Sequence, residues 1–211
     1  MSSLNFLKNF FCLLLLGFAF AGCKTDKYSL FLAPGYTWED FSKTKNSIIL
    51  GKVSFTGIPG ELEQVLVVFE EGNTEKVYPV QVAKKFVQPS SDPKKNRTNF
   101  YFFVQLPERY YHVQEVIAKH KTFEQLETPL LNANLTIPKN SIRYIGTILI
   151  KGIGPTLSML GPVTESDIVD ERKDVIKVFK EQYPQFKDHK IDVKVIDRYE
   201  LFKDDGVGGK F

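Results

Sequence analysis

The chain has 211 residues, with 28 basic against 25 acidic side chains and two cysteines, Cys12 and Cys23. This near balance, without a basic stripe, excludes nucleic acid as a partner. No cysteine follows Cys23, which excludes disulfides, thiolate nucleophiles and cysteine-held metals from residues 24–211.

The first element is an uncharged run from Phe10 to Gly22 behind the single cation Lys8. A helix needs about 20 apolar residues to cross a bilayer, so this run is too short. A positive start, a short apolar stretch and small residues at a cleavage point make a signal peptide over residues 1–22. Ala21 and Gly22 then lead directly into Cys23. This resembles the lipobox of bacterial lipoproteins, with Phe20 where Leu is usual, a departure associated with spirochaete lipoproteins. The resemblance implies cleavage between Gly22 and Cys23, a diacylglyceryl group on the Cys23 thiol, and acylation of the new amine. Because two or more acyl chains hold a protein stably at a bilayer, the implied location is the bacterial cell envelope, the outer membrane rather than the inner. The membrane is then a partner through the lipid on Cys23.

Residues 23–46 begin as a tether, but Tyr28, Leu30, Phe31, Tyr36, Trp38 and Phe41 make the segment too apolar to stay solvated. Its second half is expected to dock on the domain, with Trp38, the sole tryptophan, as a core plug. Residues 47–152 read as seven strands: 47–56, 64–70, 76–87, 99–106, 110–118, 132–137 and 142–151. Each is rich in β-branched or aromatic residues, with Gly, Pro, Asn and Asp in the gaps. In the first, Ile49, Val53 and Phe55 alternate with Lys52, Ser54 and Thr56, predicting one buried and one wetted face. The pattern predicts a mainly β fold, an antiparallel β-sandwich of about seven strands. Residues 88–98, QPSSDPKKNRT, read as an exposed hairpin loop.

Residues 153–200 differ in texture. Gly154, Pro155, Gly161 and Pro162 mark a crossing loop. Thr164 and Asp167 read as a helix start, and Ile168, Val175, Ile176, Phe179 and Tyr183 recur near helical spacing up to Pro184. This C-terminal helix is expected to cover the sandwich. Ile191, Val193 and Val195 then alternate with charges as a final edge strand. Residues 201–211 read as a disordered tail.

Two stretches, Asn99–Val116 and Leu135–Ile150, are similar to small bacterial lipoproteins with transthyretin-like or carboxypeptidase-regulatory-like sandwiches. There an aromatic strand ends in a Pro-Gly turn before a Tyr-led strand, and a later strand opens on Tyr-x-Gly. Phe102, Leu106 and Pro107 fit, as do Tyr110 or Tyr111, Tyr144 and Gly146. Glu108 and Arg109 stand where a small turn residue is usual, which points to a longer hairpin at that place. The resemblance supports fold, not activity.

Catalytic punctuation is missing from the sequence: no GxSxG elbow, no HExxH helix and no phosphate loop. The GIGPTL stretch at 152–157 lacks the third glycine of a dinucleotide turn and follows a strand expected to be antiparallel. His112 and His120 fall on one strand face about 26 Å apart, too far to share a metal, and read with His189 as surface residues. Asp167, Asp170 and Glu171 read as partners of the helix dipole, and Glu70 and Glu71 as part of a turn. No cofactor or metal is expected. Tyr101, Tyr110, Tyr111 and Tyr144 remain as a candidate interaction surface, since Tyr offers apolar area with a polar tip. The competing placement puts these rings and Phe100, Phe102 and Phe103 beneath Trp38 or the C-terminal helix. The functional expectation is a non-catalytic, lipid-anchored interaction or structural module, not an enzyme. The rivals are an envelope hydrolase, which needs a cleft uniting two carboxylates or a histidine with a carboxylate, and an assembly factor binding another envelope protein through its last strand, around Val193, or its tail.

Overall fold

Strand β1 (Asn46–Thr56) runs through the middle of the molecule and is buried on both faces from Ser47 to Phe55. The computed structural model describes residues 30–58, 60–72, 74, 76–83, 86–88, 97–121, 124–126, 128–153 and 164–196. Within them follow β2 (Gly60–Glu71), β3 (Lys76–Ala83), β4 (Phe86–Gln88), β5 (Arg97–Pro107), β6 (Arg109–His120), β7 (Glu124–Leu126), β8 (Ala133–Ile137), β9 (Ile142–Gly152), β10 (Thr164–Val169) and β11 (Asp192–Val193). Helix α1 (Trp38–Lys43) precedes them, and helix α2 (Arg172–Gln182) with a 3-10 turn (Pro184–Phe186) lies between β10 and β11. The signal peptide with Gly22 and Cys23, positions 89–96 of the loop, the crossing at 154–162 and the 201–211 tail lie outside the described residues.

The fold is mainly β, with two sheets, one C-terminal helix and a final short strand. One sheet has the order β10-β9-β1-β5, with β11 beside β10 on the same edge of β9. The other runs β3-β2-β6-β7, with β4 also on β2 and β8 also on β6. Between the sheets lies a core that includes Ile49, Val53 and Phe55 from β1, Val65, Val67 and Phe69 from β2, and Phe102, Val104 and Leu106 from β5. Fully burying a side chain of this kind contributes roughly 1.5–3 kcal/mol. Packing must supply the stability here, because residues 24–211 contain no cysteine.

The alternation read in β1 has the right parity but the wrong surroundings. Ile48 and Leu50, on the same side as Lys52 and Ser54, join a second core with Phe103, Tyr144, Val175, Phe179 and Phe186. That side is therefore not wetted: α2 and the 3-10 turn lie over it as a third layer. The helix covers the sheet through Val175 and Phe179, but it starts later than Thr164. Thr164–Val169 is strand β10, pairing Thr164 with Gly152 and Ile168 with Ile148. Alternate burial at Thr164 and Ser166 follows a period of two, and the free edge of β9 takes the segment before a helix can form.

Strand β9 runs parallel to β1 and antiparallel to β10, so the strand before Gly152 is not antiparallel to both neighbours. Its register slips between Leu50 and Lys52, where Tyr144 and Thr147 are the partners. Gly146 occupies this bulge with φ +122, in the region that favours glycine. The extra residue switches parity: Tyr144 packs under α2, whereas Ile145, Ile148 and Ile150 enter the inter-sheet core.

A longer hairpin does not form at Glu108. β5 belongs to one sheet and β6 to the other, with Glu108 alone between them. The Tyr111 hydroxyl donates to the Pro107 carbonyl at 3.2 Å, pinning this crossing as a tyrosine corner does in other sandwiches. β4 and β5, which flank the 88–98 loop, likewise lie in different sheets and form no hairpin.

The segment ahead of α1 extends the free edge of β5. Phe31 bridges Val104, Leu32 N–H donates to Phe103 O at 3.1 Å, and Gln105 N–H donates to Leu30 O at 2.6 Å. Tyr183 Oη then donates to Leu32 O at 2.9 Å. Trp38 is not a core plug: it packs on Phe41 and Phe186 and stacks on His189 at 3.7 Å, yet is 41 % exposed.

Candidate functional site

Lys52 faces Tyr101, Ser54 faces Asn99 and Thr56 faces Arg97 across the β1–β5 ladder. Residues two apart on a strand share a face, so Lys52 and Ser54, with Arg97, Asn99 and Tyr101, form one polar field beside the second core. The start of α2 closes over this field. Between them lies a cleft of ≈ 480 Å³, open to solvent, lined by Lys52, Arg97, Asn99, Glu171 and Asp174 among others.

Lys52 is the centre of the arrangement, with its side chain 3 % exposed. Its Nζ lies 2.5 Å from Asp174 Oδ2 and 2.8 Å from Glu171 Oε2. Arg97 grips Glu171 with both terminal nitrogens, at 2.5 and 2.7 Å, the bidentate geometry that suits guanidinium to carboxylate. Tyr101 Oη donates to Asp174 Oδ2 at 2.9 Å, and Ser54 Oγ donates to Asn99 Oδ1 at 2.7 Å. From below, Tyr144 Oη accepts the Glu171 backbone N–H at 2.8 Å. This satisfies a donor at the helix start, where the Glu171 side chain makes no cap of its own.

The electrostatics follow from these contacts. Burial pushes the Glu171 carboxyl up, but the hydrogen bonds from Arg97 and Lys52 outweigh it and hold its pKa below the ordinary value. The Lys52 ammonium beside Asp174 lowers that carboxyl too, against a smaller effect of burial. Burial and the Asp174 carboxylate raise Tyr101 to about 12. Both acids are thus ionised at neutral pH, and the two cations offset their charge. General acid catalysis by a carboxyl pair needs one member with a raised pKa. Neither Glu171 nor Asp174 has one. The arrangement can hold α2 against the sheet and set its register.

Of the four tyrosines expected on an interaction surface, Tyr101 is half-buried with its hydroxyl on Asp174, and Tyr110 is exposed. Tyr111 and Tyr144 are fully buried, which corrects their placement on a surface. Tyr111 points into the inter-sheet core from the corner, and Tyr144 lies beneath α2 because of the Gly146 bulge. Phe103 packs on Phe179 of α2 at 5.2 Å, while Phe102 enters the inter-sheet core.

Other expected residues are dispersed. His120 is buried and is not a surface histidine; His112 is half-buried beside Tyr110, and His189 meets Trp38. Among the described residues no group of three or more His, Cys, Asp or Glu side chains could hold a metal. Glu71 is buried at the end of β2, accepting from Tyr78 Oη at 3.1 Å and Arg109 Nε at 3.0 Å. Asp167 lies in β10, outside the helix, and Asp170 pairs with Arg172. Sequence reasoning missed Lys52, Arg97 and Asn99. The available signal was a lone cation inside the apolar run ILGKVSF: once its face is covered, such a charge requires carboxylates.

No protein-family model matches the chain, and neither a curated protein nor a solved structure matches it.

Proposed function

We propose that the protein is a lipid-anchored module of the bacterial cell envelope, held by acyl chains on Cys23 and acting through its surfaces without catalysis. The observation that carries the non-catalytic part is the charge-compensated cluster of Lys52, Arg97, Glu171 and Asp174. It unites two carboxylates in a cleft, as a hydrolase would, but the Lys52 and Arg97 side chains hold both ionised. The electrostatics favour a brace that fixes α2 on the sheet. The lipobox-like Phe20-Ala21-Gly22-Cys23 supports the anchor. The paired sheets and the Tyr144-x-Gly146 bulge are in keeping with the transthyretin-like lipoprotein resemblance.

The test is metabolic labelling with an alkyne fatty acid in a bacterial host, followed by membrane fractionation. The native chain should carry the label and sediment with membranes. Cys23→Ala should lose the label and pass to the soluble fraction. Undiminished labelling and membrane attachment of that variant would overturn the anchor. Hydrolysis of an envelope polymer by the purified protein, lost in Glu171→Gln, would overturn the non-catalytic reading.

A further inference from the structure

The chain from Tyr28 to Trp38 carries no charge. Its described part docks at Leu30–Leu32 on the β5 edge, then leaves the domain surface as a turn in which Ala33, Pro34 and Gly35 are exposed. Tyr36 N–H closes the turn on Ala33 O at 3.0 Å. Thr37 then caps α1 reciprocally with Asp40, donating its N–H at 2.9 Å and accepting the Asp40 N–H at 3.1 Å. This cap fixes Trp38 at the first helical position. One side of the indole is held by Phe41, Phe186 and His189, while the residue remains 41 % exposed. Exposed Ala33, Pro34 and Gly35 are thus followed closely by a half-exposed indole.

The distance to the anchor is short. From Cys23 to Leu30 there are seven Cα–Cα steps, which span at most about 25 Å. If Cys23 is lipidated, this turn lies close to the bilayer surface, on the side of the domain where the tether enters. Tryptophan concentrates at the headgroup level of bilayers, where an apolar ring and a polar N–H are both accommodated, whereas the Tyr36 ring stacks inward on Phe186. We propose that Ala33–Trp38 is a membrane-contact surface, seated in the headgroup region of the leaflet that holds the Cys23 lipid, with Trp38 as its anchor. This rests on the lipid-anchor reading above. The charges flanking the turn in sequence are mixed in sign, Lys24, Lys27, Lys43 and Lys45 against Asp26, Glu39 and Asp40, and make no strong anion-seeking patch. Lys43 pairs with Glu39, Asp40 is engaged by Thr37, and Lys190 pairs with Asp192. The contact is therefore driven by apolar and aromatic insertion and suits a zwitterionic bilayer.

Trp38 is the sole tryptophan, so intrinsic fluorescence reports this contact directly. The native full chain is expressed with its processing intact, its mass is measured, and it is reconstituted into phosphatidylcholine vesicles with or without brominated acyl chains. Shallow-brominated lipid should quench Trp38 severalfold more than deep-brominated lipid, with a blue-shifted emission insensitive to salt. Ala33→Glu places a charge in the exposed turn without touching a packed residue, and it should remove most of the quenching while circular dichroism is unchanged. Membrane-attached protein with no quenching and an unshifted emission would overturn the proposal. So would quenching that Ala33→Glu leaves intact. If the mass shows Cys23 unmodified, the anchor reading fails separately. Docking is then read on the Cys12→Ser chain coupled through Cys23 to a maleimide-bearing phospholipid, with the same two outcomes.

Discussion

The Lys52 ammonium lies 2.5 Å from the Asp174 carboxylate and is almost wholly buried, whereas the Asp174 side chain is 45 % exposed. The two partners therefore differ in what their removal leaves behind. Lys52→Met vacates the buried position with an apolar chain of similar length, and both acids keep other partners in Arg97 and Tyr101. It should cost about 1 kcal/mol or less. The double variant Glu171→Gln with Asp174→Asn strands a buried cation and should cost about 3 kcal/mol. Urea unfolding midpoints give the comparison, and a Lys52→Met loss larger than the double variant's would refute the assignment.

The same pairs set an acid limit. Glu171 and Asp174 have folded pKa values lowered from 4.5 and 3.8. Each contributes stability present above its unfolded value and lost as pH falls through its lowered folded value. Stability should decline as pH drops below about 4.5, and the double variant should show a flatter decline. At the alkaline end Tyr101 is raised from 10.0 to about 12. Its contribution is present below pH 10 and is lost as pH rises through about 12. Unfolding midpoints across pH test the acid limb, and tyrosinate absorbance of the native protein against Tyr101→Phe tests the alkaline one.

Gly146 and Gly35 separate two effects of a positive φ. At Gly146, φ is +122 and an added Cβ would lie 2.9 Å from Ile168 Cγ2, inside the β9–β10 packing. At Gly35, φ is +80 with open space around it. Gly35→Ala should cost about 1 kcal/mol from backbone strain alone, and Gly146→Ala about 3 kcal/mol or more because overpacking is added. Thermal melts of the two variants should preserve that order; equal losses would mean that the bulge can relax.

Tyr111→Phe keeps the buried ring but removes the donor to the Pro107 carbonyl at the crossing between sheets. A loss of about 1 kcal/mol is expected, the ordinary net worth of a hydrogen bond. If instead the variant is neutral in urea unfolding, the corner is held by packing and not by the phenol.

Much of the fold was legible because β strands announce themselves by composition and punctuation. Each of the seven strand segments that the sequence predicts in 47–152 has a counterpart within a few residues. The misreadings share one cause. Thr164–Val169 carries helix-start residues, yet the unfilled edge of β9 outweighed that local preference. Alternation puts Lys52 on a wetted face, because it shows which residues share a side and not what covers it. Glu108 suggests a longer hairpin only because nothing local distinguishes a turn within one sheet from a corner between two.

The sequence by itself determined most of the strands, the thiol-free character of residues 24–211 and the helix end before Pro184, all of which depend on residue type and near neighbours. It also carried the lipobox-like stretch from which the anchor is proposed. Only the tertiary structure decided that β9 lies parallel beside β1 and that Gly146 reverses the facing of the strand. It also brought Lys52, Arg97, Glu171 and Asp174 into one cluster from positions up to 122 residues apart. Such contacts arise when distant segments bury each other's faces and their charges must then be paired away from water. That requirement has no local signature beyond one lysine in an apolar strand.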